Sequence, residues 1–100
     1  IRAAGPALGA FGVSGVLSRP QLTLFRSGSR DGFRFNSGWS TSPDAPAIAD
    51  AAARSGAFAF GATSLDAALL INLAPGAYTA QVNGLGGTTG IALLEIYEVP

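Results

Sequence analysis

The chain has 100 residues, with six basic side chains against six acidic ones, a formal net charge of zero and no His, Cys or Met. Charged residues make up 12%, about half the ~25% of an average soluble chain, so the polypeptide is apolar and rich in small residues. These counts exclude a neutral-pH imidazole shuttle, a thiolate nucleophile, an imidazole or thiolate metal centre and a basic nucleic-acid surface. The length fits one domain, residues 1–100.

In chain order, Ile1 to Ala4 reads as a strand stopped by Gly5-Pro6. The start at Ile1, without an initiator Met, suggests a module cut from a longer polypeptide. Gly12-Val13-Ser14-Gly15 has the look of a nucleophile elbow, but Val16 stands where that motif needs Gly, and the chain has neither His nor Lys to serve as base. It reads as a loop. Gln21 to Arg26 and Phe33 to Asn36 both alternate apolar and polar residues around the polar stretch Ser27 to Gly32, the pattern of a β-hairpin.

Trp39, the single Trp, follows Asn36-Ser37-Gly38. It can serve as a stacking platform for a sugar ring, with Asn36, Ser40 and Thr41 as polar partners, or as a large apolar lid over a core. Ser42-Pro43-Asp44-Ala45-Pro46 then offers an N-cap carboxylate and first-turn prolines to a short surface helix over Ala47 to Ala53. Asp50 and Arg54 are spaced i, i+4, and Gly56 ends it.

Ala67 to Leu73 is a further strand, closed by Ala74-Pro75-Gly76. Tyr78, just past that turn, is placed to act as a tyrosine corner, its hydroxyl bonding back to the backbone a few residues upstream. Tyr78, Ala80 and Val82 alternate with Thr79, Gln81 and Asn83. Ile91 to Val99 is apolar on both faces, which predicts a strand in the middle of a sheet. With the glycine-rich Gly84 to Gly90 between them, these two segments predict a second hairpin. The Gly84 to Gly90 spacing misses a dinucleotide fingerprint, because position 89 is Thr and a strand, not a helix, follows.

Glu95 interrupts the apolar run and is expected to pair with an arginine such as Arg2 or Arg34. Glu95 and Glu98 point to opposite faces of a strand, so they form no catalytic pair, and nothing in the spacing of Asp31, Asp44, Asp50 and Asp66 supplies one. Calcium, which needs only oxygen ligands, is the one metal the composition leaves open, with Asp31, Asn36 and Asp44 as candidates. No other cofactor is indicated. No apolar run reaches the ~18 residues of a membrane span.

The run Ile1 to Leu8, Phe11 to Leu17, Gln21 to Phe25, Asn36-Ser-Gly-Trp39, Asp66 to Leu70, Leu73 to Val82 and Gly87 to Val99 resembles a module near the ends of large secreted or surface proteins of environmental bacteria. Its closing part, PGAYTAQV followed by GTTGIALLEIYEV, is similar to the bacterial pre-peptidase C-terminal (PPC-like) domain. The resemblance implies an all-β antiparallel sandwich, jelly-roll-like with about seven short strands, that accompanies other domains outside the cell without catalysing a reaction. Where such modules carry an acidic Asn-Asp-Asn-Trp, this chain has Asn36-Ser37-Gly38-Trp39, which removes a carboxylate from that loop. Two roles stay open beside an enzyme. One is an accessory or adhesive module taking polysaccharide or cell-wall material. The other is an assembly module that packs on neighbouring domains or identical copies.

Overall fold

The computed structural model describes residues 1–99. Most regular structure is strand, arranged as two small antiparallel sheets with one short helix. The strands are β1 (Arg2–Ala4), β2 (Pro20–Arg26), β3 (Gly32–Asn36), β4 (Ala67–Ala68), β5 (Tyr78–Gly84) and β6 (Leu93–Glu95), and the helix is α1 (Ala45–Arg54). The first sheet has the order β4-β1-β6 and the second β3-β2-β5.

β2 and β3 form the hairpin that their alternation predicts, with Leu22 opposite Asn36 and a register shift between Leu24 and Phe25. The second predicted hairpin does not form. β5 pairs along its whole length with β2, from Pro20 opposite Gly84 to Arg26 opposite Tyr78, whereas β6 pairs with β1 in the other sheet. Gly84 to Gly90 is therefore a crossover between sheets. Leu85 N–H donates to the Arg19 carbonyl at 2.8 Å, and Ile91 and Leu17 then tie the chain to the 15–17 segment through Ile91 N to Gly15 O and Leu17 N to Ile91 O. The crossing is tight, since a Cβ at Gly84 would collide with the Thr88 carbonyl and one at Gly90 would lie 2.6 to 2.7 Å from the Val16–Leu17 backbone.

Two strands are shorter than expected. Only Ala67–Ala68 of the Ala67 to Leu73 segment is strand, extended by an exchange of backbone hydrogen bonds between Ile1 and Leu69. Of Ile91 to Val99, only Leu93–Glu95 joins the ladder, and it lies at the edge of its sheet, not in the middle.

The pleat of β1 sorts the core into two clusters. Ala3 faces the second sheet and packs with Ala67 and Leu22, while Ile1, Leu69, Ala80 and Val82 close around them. Arg2 and Ala4 alternate to the opposite face. On that side Ala68, which is registered with Arg2, packs with Ile48 of α1 and with Trp39, flanked by Ala45 and Phe60. The first sheet is thus covered on one face by the second sheet and on the other by α1 and the 57–60 segment. This explains why all three residues of β1 are buried. Asp44 occupies the N-cap position of α1, but its side chain makes no capping bond. Instead its backbone N–H donates to Ser42 Oγ at 3.1 Å.

Candidate functional site

The cross-strand pair Arg2 and Glu95 stands at the centre of the helix-covered face. Registered residues of an antiparallel pair project to the same side, so the side chains meet, with Arg2 Nε 3.4 Å from Glu95 Oε1. The Arg2 side chain is only 6% exposed. Its guanidinium carbon lies 3.8 Å from the Phe60 ring centroid and 4.5 Å from that of Phe58, and the planar cation is held by aromatic faces where no carboxylate reaches. Glu95 is held from its other oxygen by the Tyr97 hydroxyl, which donates to Oε2 at 2.6 Å. That hydrogen bond, with a smaller contribution from burial, raises the Tyr97 pKa above its ordinary 10.0. Burial lowers the pKa of Arg2, and Glu95 acts in the opposite direction.

The guanidinium is incompletely satisfied. None of Nε, Nη1 and Nη2 has a hydrogen-bond partner, nor does Glu95 Oε1, because the ion pair is too long and poorly aligned to count as one. Arg2 also forms part of the wall of a cavity of about 180 Å³ between α1 and the 57–60 segment, lined mainly by alanine methyls with Trp39, Ile48 and Phe60.

The residues singled out around Trp39 have local partners. Trp39 is 8% exposed, packs with Ile48, Ala68 and Phe60, and donates its indole N–H to the Gly61 carbonyl at 3.1 Å. A stacking platform needs an exposed ring face, and here the ring sits in a core cluster. Asn36 Oδ1 accepts the Ala68 N–H at 3.0 Å, and the Trp39 N–H donates to the Asp66 carbonyl at 2.8 Å. Together these two bonds close the outer edge of β4. Thr41 is exposed and turns its hydroxyl onto the Gly38 carbonyl, and Ser40 is half-buried beside it.

Of the calcium candidates, Asp31 lies in the β2–β3 turn, Asn36 is engaged as above, and Asp44 heads α1. Among the described residues no three His, Cys, Asp or Glu side chains gather into a metal-binding group. Tyr78 donates its hydroxyl to the Ala74 carbonyl at 2.6 Å.

Asp66, weighed in the sequence only as a carboxylate without a catalytic partner, is fully buried. Its Oδ1 accepts the backbone N–H groups of Gly5 at 2.7 Å and Ala7 at 3.1 Å, fixing the chain where it leaves β1. The available signal was its place in Leu65-Asp66-Ala67, an acidic residue at the mouth of an apolar strand.

The four sheet edges are not equivalent. β4 is closed by Asn36 and Trp39. β3 is bulged against β2 and carries the exposed Arg34, features that discourage pairing, and β5 turns the uncharged polar side chains of Thr79, Gln81 and Asn83 to solvent. β6, three residues long, has neither a bulge nor an exposed charge and is the apolar one of the four. Around it Ile91, Leu93, Leu94 and Ile96 are exposed, Ile96 to 71%.

No family model, curated protein or solved structure matches this chain. No helix among the described residues is long and apolar enough to cross a membrane.

Proposed function

We propose that the chain is a non-catalytic accessory module of a secreted or cell-surface multidomain bacterial protein, a jelly-roll-like β-sandwich in architecture, and that it works by assembly with a second copy of itself through β6. The secreted setting rests on the resemblance of the closing segment to PPC-like domains. The assembly role rests on one observation: a segment with the composition of a central strand occupies a sheet edge, with Ile91, Leu93, Leu94 and Ile96 in water.

A second copy supplies the missing neighbour without any new sequence. An antiparallel pairing of one strand with its own copy obeys two-fold symmetry, so one patch serves both partners. With the axis at Leu94, Leu93 faces the partner's Glu95, Ile96 the partner's Ala92, and Glu98 the partner's Gly90. No like charges meet, and the zero net charge of the chain adds no long-range repulsion. Sedimentation velocity over a wide concentration range is expected to show a monomer–dimer equilibrium that Leu94→Lys abolishes, because two lysines would then face each other on the axis. A monomer at every concentration would overturn the assembly role.

A further inference from the structure

We propose that the polypeptide joining this module to the domain before it is buried as a strand between residues 70–73 and 97–99, where it continues β1. The inference rests on the reading of the chain as one module of a longer, multidomain protein. In the first sheet β1 begins at Arg2, and both its neighbours stop there: β4 ends at Ala68 and β6 at Glu95, the two residues registered with Arg2. Yet the strand pattern of the sequence runs on in both, through Leu69-Leu-Ile-Asn-Leu73 and Ile96-Tyr-Glu-Val99. Beyond Arg2 the two segments lack a common partner.

The space for that partner is open. Three cavities converge on it, and Leu70 and Val99 line all three. On the α1 side Ile48, Ala51 and Ala52 complete the wall; on the side of the second sheet, in a groove of about 580 Å³, Leu24, Tyr78 and Ala80 do so. Close-packed interiors leave few voids larger than a water molecule, so a groove of this size is no packing fault. Among the described residues, no backbone group of Leu70 to Leu73 or of Tyr97 to Val99 bonds to another backbone group, so the two segments have not closed on each other.

The register of β1 specifies the occupant. Ile1 exchanges backbone hydrogen bonds with Leu69, its nitrogen donating at 2.9 Å as a ladder N–H does. Carried backwards, the alternation makes bonded pairs of the first residue before Ile1 with Tyr97, the second with Ile71 and the third with Val99. Burial lowers the pKa of the Ile1 amine, with Arg2 acting the same way and Glu95 opposing. A peptide bond at that nitrogen keeps the bond to Leu69 and removes the charge. Covered by α1 on one face and the second sheet on the other, the added strand is apolar on both.

The test places Val-Leu-Val-Val in front of Ile1, with Ser-Asp-Ser-Gly in a control that removes the same terminal charge, and compares both with the present chain by amide hydrogen exchange. The apolar extension is expected to slow exchange at Ile71, Tyr97 and Val99 at least tenfold at every protein concentration, with β2 as protected as before, while the control leaves those three amides unchanged. No gain at the three amides, an equal gain from both extensions, or loss of β2 protection in the apolar variant would each overturn the proposal. So would protection of the same amides in the unextended chain that rises with concentration, which would give the groove to a second copy. Any of these results leaves the multidomain reading standing, with the module on a loose tether, and leaves the pairing of β6 untouched, since that uses its outer edge.

Discussion

At the scale of single residues, a few polar side chains fix this largely apolar chain. Tyr78 pins the start of β5 to the preceding turn through one hydroxyl bond to Ala74, and Tyr78→Phe removes that bond while leaving the ring. Denaturant titration of the variant is expected to show a loss of about 1 kcal/mol, the worth of a typical hydrogen bond. Arg2 and Glu95 stand to lose more. Arg2→Met leaves the Glu95 carboxylate buried without its cation, at a cost of about 3 kcal/mol, whereas Arg2→Met combined with Glu95→Leu removes both charges and should recover most of the loss. If the double variant were as unstable as the single one, the pair would be contributing packing and not charge. Tyr97 gives this cluster a pH dependence. Its pKa in the folded state is raised, so the folded chain holds the proton more tightly than the unfolded one. The corresponding stabilisation is whole below pH 10 and is lost as pH rises through the higher folded value. Thermal melts from pH 9 to pH 12 should show wild type losing stability more steeply than Tyr97→Phe.

Among the elements, those built from neighbouring residues were legible in the sequence, and those that depend on a choice of partner were not. The β2–β3 hairpin and α1 carry their signals locally, in period-two alternation about a polar turn and in a proline-led alanine run. Alternation also marked Tyr78 to Asn83 as half-buried strand, and Thr79, Gln81 and Asn83 are indeed the exposed residues. Periodicity is silent about the partner, and proximity in sequence suggested Ile91 to Val99. The unbroken seven-residue register with β2 takes β5 into the second sheet, while Glu95 draws β6 to the strand that carries Arg2. The Arg2 centre was half legible. Glu95 stands out as the charge in an apolar run and Arg2 was among its possible partners, but Phe58 and Phe60 lie in an irregular segment with no pattern to bring them there. The crossover offers its own test. Gly84→Ala drives a methyl group into the Thr88 carbonyl and should destabilise the fold by roughly 1–3 kcal/mol, whereas Gly87→Ala, whose Cβ meets nothing, is limited to the smaller cost of its positive φ. Equal effects of the two substitutions, read as shifts in denaturation midpoint, would show that the crossover is looser than its geometry.

Over the whole molecule, the first sheet is buried between two unlike layers, the second sheet on one face and α1 with the 57–60 segment on the other. This arrangement protects β1 completely and leaves β6 with one side unpaired. The low charge that first served to exclude chemistries now has a positive meaning, because a neutral chain with one unguarded apolar edge is suited to contact with its own copy. Backbone amide hydrogen exchange tests this most directly, since it reads the pairing of β6 itself. The account predicts that the alternate amides of residues 92–96 that point away from β1 are protected at high protein concentration and lose that protection on dilution, while those bonded to β1, and those of β1 and β2 themselves, hold theirs throughout. Fast, concentration-independent exchange at the outward-pointing amides of 92–96 would contradict it.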